Sequence, residues 1–131
     1  MLLAFDIDKF KSINDTYGHS VGDAVITEFA RRIGSCVRES DLPARLGGDE
    51  FLVLVEDANS MDEGVSIADK ILQCMQQPMQ LGTLRLSVTS SIGIGFLQHP
   101  KSAEEVIELA DRALYAAKAA GRNTARGLEQ A

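Results

Sequence analysis

Residues 45–51 read Arg-Leu-Gly-Gly-Asp-Glu-Phe, and far upstream an apolar run ending in acid leads into Asp6-Ile7-Asp8-Lys9-Phe10-Lys11. Residues of these types suit metal-assisted nucleotide chemistry and phosphoryl transfer. Two adjacent glycines, Gly47 and Gly48, between the apolar runs 42–46 and 51–55 predict a hairpin turn. Glycine reaches positive φ without steric cost and lets a ligand approach the main chain. Asp49 and Glu50 would project from that turn. If the strand carrying Asp6 lies beside the hairpin, carboxylates distant in sequence converge, and their repulsion calls for a hard cation such as magnesium. Taken alone, Asp49 and Glu50 fit an ordinary polar turn equally well. No GxxxxGK[ST] segment occurs, so phosphate binding would not use a P-loop.

The elements that must position these residues follow from periodicity. The stretch from Leu2 to Ile7 reads as a buried strand that delivers ligands at its carboxyl end, followed by a short polar segment to Gly18. Val21, Val25, Phe29, Ile33 and Val37 mark an amphipathic helix, with Ser20 as N-cap and Asp23 three positions later. A second helix is predicted over 61–77, opened by Ser60 and Glu63 in capping-box spacing and closed before Pro78. From 84 to 96 the apolar residues hold even positions, the period of a strand with one buried face, which Gly93 and Gly95 would soften. Ser102 and Glu105 open a last helix that Gly121 stops, and the tail beyond is expected to fray. The order strand, helix, strand, strand, helix, strand, helix predicts an α+β fold. A ferredoxin-like or polymerase-palm-like four-stranded antiparallel sheet, with helices packed on one face, satisfies it and brings Asp6 beside the hairpin.

Composition narrows the class. A chain of 131 residues, 45% of them hydrophobic, fits a single domain spanning 1–131, without linker or repeat. No apolar stretch approaches the roughly 18 residues of a membrane-spanning helix, and no signal peptide is present, so a cytoplasmic protein is expected. Cys36 and Cys74 fall in helical patterns and read as buried reduced thiols. A formal charge of −6 argues against long nucleic acid as partner, because counterion displacement needs a basic surface. A small phosphorylated ligand remains compatible.

The motifs resemble the GGDEF family of diguanylate cyclases over nearly the whole chain. Beyond Gly47-Gly48-Asp49-Glu50-Phe51 and Asp6-Ile7-Asp8-Lys9-Phe10-Lys11, the pattern includes Asn14-Asp15-Thr16-Tyr17-Gly18-His19 and Gly22-Asp23. Ser91-Ile92-Gly93, 113–118 and Gly121-Arg122-Asn123 complete it. The resemblance implies a bacterial second-messenger enzyme that joins two GTP molecules into cyclic di-GMP with release of two pyrophosphates. It makes Asp6, the backbone carbonyl of Ile7 and Asp49 the ligands of magnesium or manganese, with Glu50 beside them. Asp49 or Glu50 would accept the proton of the attacking 3′-hydroxyl, Asp49 being favoured. Asn14 and Asp23 match the guanine-recognising pair, and Lys11, Lys118 and Arg122 the phosphate-gripping cations, with Gly47 and Gly48 lining the substrate. Arg38 and Asp41 match an RxxD site for inhibition by product. Asp8 has no metal role and is expected to cap the following turn.

Family members usually carry a preceding helix with an Asp-x-Leu-Thr-x-Leu-x-Asn-Arg motif, which this sequence lacks, so the domain reads as N-terminally incomplete. Each subunit of the family holds one GTP, and bond formation requires a homodimer, usually assembled by an upstream sensor domain. The segment alone is thus expected to be weak or inactive. The alternative is a non-turning-over module that binds GTP or cyclic di-GMP and regulates a neighbouring domain such as a phosphodiesterase.

Overall fold

The first apolar run forms β1 (Leu2–Ile7), buried throughout, at the centre of a five-stranded sheet. The computed structural model describes residues 1–130. Along the chain follow α1 (Phe10–Tyr17), α2 (His19–Cys36), β2 (Leu42–Gly47), β3 (Glu50–Leu54), α3 (Met61–Cys74), β4 (Met79–Leu81), β5 (Leu84–Leu86), β6 (Ser90–Leu97), α4 (Ala103–Ala119) and β7 (Thr124–Gln130). The sheet order is β2-β3-β1-β6-β7, while β4 and β5 pair as a separate hairpin. β1 is antiparallel to both neighbours, so Asp6 stands opposite Glu50 on one side and Ser91 on the other.

Alternate side chains of a strand point to opposite faces, and both faces of β1 are covered. Leu3, Phe5 and Ile7 join a core with Val25, Phe29 and Ile33 of α2 and Ile67 and Ile71 of α3. In it the rings of Phe5, Phe29 and Phe51 meet at centroid distances of 5.0 to 6.1 Å. Leu2 and Ala4 pack instead with Ala110 of α4. The expectation that all helices share one face is therefore corrected. α4 is the crossover between β6 and β7, which run parallel, and such a crossover lies across the sheet. Gly93 and Gly95 make room for it rather than softening β6. A Cβ on Gly93 would fall 2.1 Å from the Leu114 nitrogen, and one on Gly95 2.6 Å from that of Ala110.

Other expectations also change. The even-numbered apolar run breaks at 87–89: Leu84 and Leu86 belong to the β4–β5 hairpin, and β6 is buried on both faces. The tail does not fray, because β6 offers it a ladder from Ser91 opposite Thr124 to Leu97 opposite Gln130. Its polar sequence carries no alternation to announce an edge strand. The polar segment before Gly18 is helical, entered through Lys9 in the left-handed region. Ser20 lies in the first turn of α2, whose N-cap is Gly18. β2 is an exposed edge, leaving Leu42 and Leu46 open to solvent. The Ser60–Glu63 capping box forms as expected. Cys36 and Cys74 are free thiols facing one another, and burial pushes the Cys36 thiol up to about 11. Among the described residues, no helix is long and apolar enough to cross a membrane.

Candidate active site

Asp6 is the one acid of β1 and lies on the α4 face with Leu2 and Ala4. Its residue is only 8% exposed. The Lys118 ammonium, from the last turn of α4, donates to its Oδ2 at 2.5 Å. The other oxygen, Oδ1, is buried without a partner among the described residues. Burial pushes the Asp6 carboxyl above the ordinary carboxylate range, Lys118 opposes the shift, and the negative charges of Asp49 and Asp8 add to it. A buried acid surrounded by acids with one oxygen unpaired is a place that attracts a cation.

The hairpin supplies the second group. Gly47 and Gly48 both have positive φ, 149° and 53°, and let the chain reverse between β2 and β3. Arg45 pins the turn by donating from Nε and Nη2 to the Gly48 carbonyl at 2.9 and 2.6 Å. Asp49 is half-buried in this turn, and Glu50 is exposed at the start of β3. Because Glu50 pairs with Asp6 in register, it shares the α4 face. A cleft of about 310 Å³ opens there, lined by Asp6, Glu50, Leu46, Asp111, Tyr115 and Lys118 among others. The fold therefore brings Asp6, Asp49, Glu50 and Lys118 to one end of the sheet, with Ile7 buried at the strand end. Tyr115 belonged to the 113–118 motif without a role assigned to it, and Asp111 carried no signal in the sequence.

Asn14 lies on α1 where it packs against Gly22 of α2, the residue before Asp23. The Asn14 Oδ1 is buried, unpartnered among the described residues, and aimed at Gly22; a Cβ there would lie 1.8 Å away. Asp23, the next residue, is exposed. Lys11 is exposed in the first turn of α1, and Arg122 is exposed in the turn after α4 with φ 66°. Two of the three expected phosphate-binding cations thus reach solvent, while Lys118 is engaged with Asp6.

Asp8 departs from its expected part. It does not cap α1; its buried carboxylate accepts from Thr89 Oγ1 at 2.7 Å, Ser91 Oγ at 2.6 Å and the Asn123 N–H at 3.0 Å. These partners are remote in sequence, so a local reading had no means of finding them.

Arg38 and Asp41 stand elsewhere, at the base of the hairpin just before β2. Four strand residues, about 14 Å of strand rise, separate that end from the Asp6 end. Asp41 is buried, and burial alone would raise its pKa, but hydrogen bonds from the Arg38 guanidinium and backbone N–H outweigh this and hold it low. Arg38 also donates to Glu63 of the α3 capping box at 3.3 Å. The RxxD segment is thus a closed knot in this state, with Glu63 a member that spacing did not indicate.

A sequence model described as "Diguanylate cyclase, GGDEF domain" matches residues 1–124. "Diguanylate cyclase A" of Treponema denticola is 40% identical over 124 residues, 93% of this chain and 33% of that protein. The response regulator PleD of Caulobacter vibrioides is 42% identical over 129 residues, 95% of this chain and 28% of its own. The chain thus spans about a third or less of the curated relatives it matches. The crystal structure of the GGDEF domain of PA1120 from Pseudomonas aeruginosa superposes with a TM-score of 0.93 at 41% identity, covering 99% of this chain and 82% of that one. The GGDEF domain of DgcB from Caulobacter crescentus, in complex with c-di-GMP, gives 0.78 at 31% identity over 98% and 75%. With its palm-like sheet and the match over 1–124, this chain belongs to the GGDEF family of diguanylate cyclase domains.

Proposed function

We propose that the domain condenses two GTP molecules into cyclic di-GMP and two pyrophosphates, each of two face-to-face domains holding one GTP. The observation that carries this reading is Asp6: buried, one oxygen unpaired, with Asp49 and Lys118 beside it. Two carboxylates and a carbonyl, from Asp6, Asp49 and Ile7, are hard oxygen donors that fit magnesium or manganese. Such an ion, when bound, neutralises triphosphate charge and acidifies the attacking 3′-hydroxyl.

The chain's own residues divide the remaining work. Asp49, or Glu50 next to it, takes the proton as the 3′-oxygen bonds to the α-phosphorus of the facing GTP and pyrophosphate leaves. Lys118 exchanges its carboxylate partner for phosphate as substrate arrives, and Lys11 and Arg122 hold the outer phosphates. Asp23 accepts from the guanine N1–H and amino group beside Asn14, which selects GTP over ATP. Intact Asp6, Asp49, Glu50 and Lys118 favour turnover over a purely sensory module. Arg38 and Asp41 bind product once the guanidinium swings out of its present knot, and turnover falls. Relatives include a response regulator and a protein bifunctional with phosphodiesterase activity, and a structural neighbour is held with its activator. The parent protein accordingly pairs this domain with a sensory partner in the cytoplasm.

The test is chromatographic detection of cyclic di-GMP from GTP and magnesium, using the domain fused to a dimeric coiled coil. Product that vanishes in Asp6→Ala and in Asp49→Ala, both folded, supports the reading. Tight cyclic di-GMP binding without any product would replace it with a receptor role.

A further inference from the structure

We propose that Asp8 is a positioning residue, which sets the phosphate grip of the turn after α4 against the strand end that carries Asp6. The inference rests on the triphosphate reading above. Asp8 follows β1 directly and is buried, 8% exposed. Its backbone N–H donates to the Thr89 carbonyl at 2.9 Å, so the residue is fixed to the entry of β6 through main chain as well as side chain. The carboxylate then accepts three donors: the Thr89 hydroxyl, the Ser91 hydroxyl and the Asn123 N–H. All three present hydrogen to it, which occupies both oxygens. An acid so engaged has little to offer a metal, and its service is mechanical.

What it holds is strained. Arg122 and Asn123 are successive non-glycine residues at φ 66° and 47°, each a conformation that persists only where surroundings impose it. The turn is tied to α4 by the Arg122 N–H on the Ala117 carbonyl and the Gly121 N–H on that of Lys118. On the sheet side it is held by the Asn123 N–H on Asp8 and, one residue on, by the β7 ladder that begins with Thr124 opposite Ser91. Arg122 sits between the two anchors. Releasing Asp8 removes the side-chain part of the sheet-side anchor, lets Arg122 and Asn123 relax from the left-handed region ahead of the fixed Thr124, and moves the Arg122 guanidinium away from the outer phosphates. Asp6 and Asp49 keep their places in β1 and the hairpin.

The discriminating readout is the ratio of GTP to GMP affinity, because GMP lacks the phosphates that Arg122 would hold. In the full 131-residue chain with magnesium, Asp8→Asn keeps the size but turns an amide donor toward three donors. The expected result is a GTP-over-GMP preference about tenfold smaller than in the parent, with faster hydrogen exchange at the Asn123 amide. A folded Asp8→Asn chain with an unchanged ratio overturns the proposal, since general destabilisation would not distinguish the two nucleotides. Should Asp8→Asn fail to fold, Thr89→Val and Ser91→Ala each remove one donor and should narrow the ratio by a smaller factor; an unchanged ratio in both overturns it too. A parent chain that shows no preference for GTP over GMP refutes the triphosphate reading itself, whereas a preference that survives Asp8→Asn refutes this inference alone.

Discussion

Substituting Gly93 by Ala tests how closely α4 must lie on the sheet. The added methyl would stand 2.1 Å from the Leu114 nitrogen and 2.3 Å from the Ala110 carbonyl oxygen. Both are backbone atoms of a helix and cannot rotate aside. To restore ordinary contact, α4 has to lift by about 1.3 Å. Overpacking of this kind costs about 3 kcal/mol, and for a domain of this length that lowers the melting temperature by about 10 °C. Lys118 lies one turn beyond Leu114 on the same helix, so the lift also lengthens its 2.5 Å bond to Asp6 past hydrogen-bonding range. Calorimetry and GTP turnover on the same preparation should therefore fall together. Gly95→Ala, whose closest approach is 2.6 Å, should show the same effect more mildly. A Gly93→Ala domain that melts within about 2 °C of the parent would refute the claim that glycine is there for helix contact.

Two further outcomes follow from the charged groups. Because burial raises the Asp6 pKa, folding is favoured while the carboxyl holds its proton, and that advantage is lost as pH rises through the folded pKa. Asp6→Asn should melt like the parent at about pH 3 but higher near neutrality, while losing turnover; a lower melting point at neutral pH would contradict it. Arg38→Ala should abolish product inhibition and leave the initial rate intact, measured as rate against added cyclic di-GMP. Inhibition at the parent's concentration would reduce Arg38 to an anchor for Asp41.

Legibility tracked the range of the interactions. The capping box at Ser60 and Glu63 and the turn at Gly47 and Gly48 are local, and the sequence announced them. The proximity of Asp6 to the hairpin followed from strand order, and the register with Glu50 agrees. β7 was missed because its residues, Thr-Ala-Arg-Gly-Leu-Glu-Gln, have no alternation; the parallel partner, not the side chains, makes it a strand. The side on which α4 packs was misjudged because its apolar stripe is the same whichever face it covers. Asp8 and Arg38 each had a short-range explanation available, in a turn and in a helix end. Their actual partners include Asn123 and Glu63, which only the folded chain brings near.

The Lys118–Asp6 bond joins residues 112 apart in sequence, and the Asp8–Asn123 bond residues 115 apart. A growing polypeptide leaving the ribosome therefore carries the acids of β1 and the hairpin long before it has the helix that balances them. Until α4 and the turn after it have emerged, Asp6 lacks its ammonium partner and Asp8 its Asn123 N–H. The charge balance of the β1 acids therefore arrives only with the last elements of the fold, and a chain cut before α4 would leave Asp6 and Asp8 without these partners.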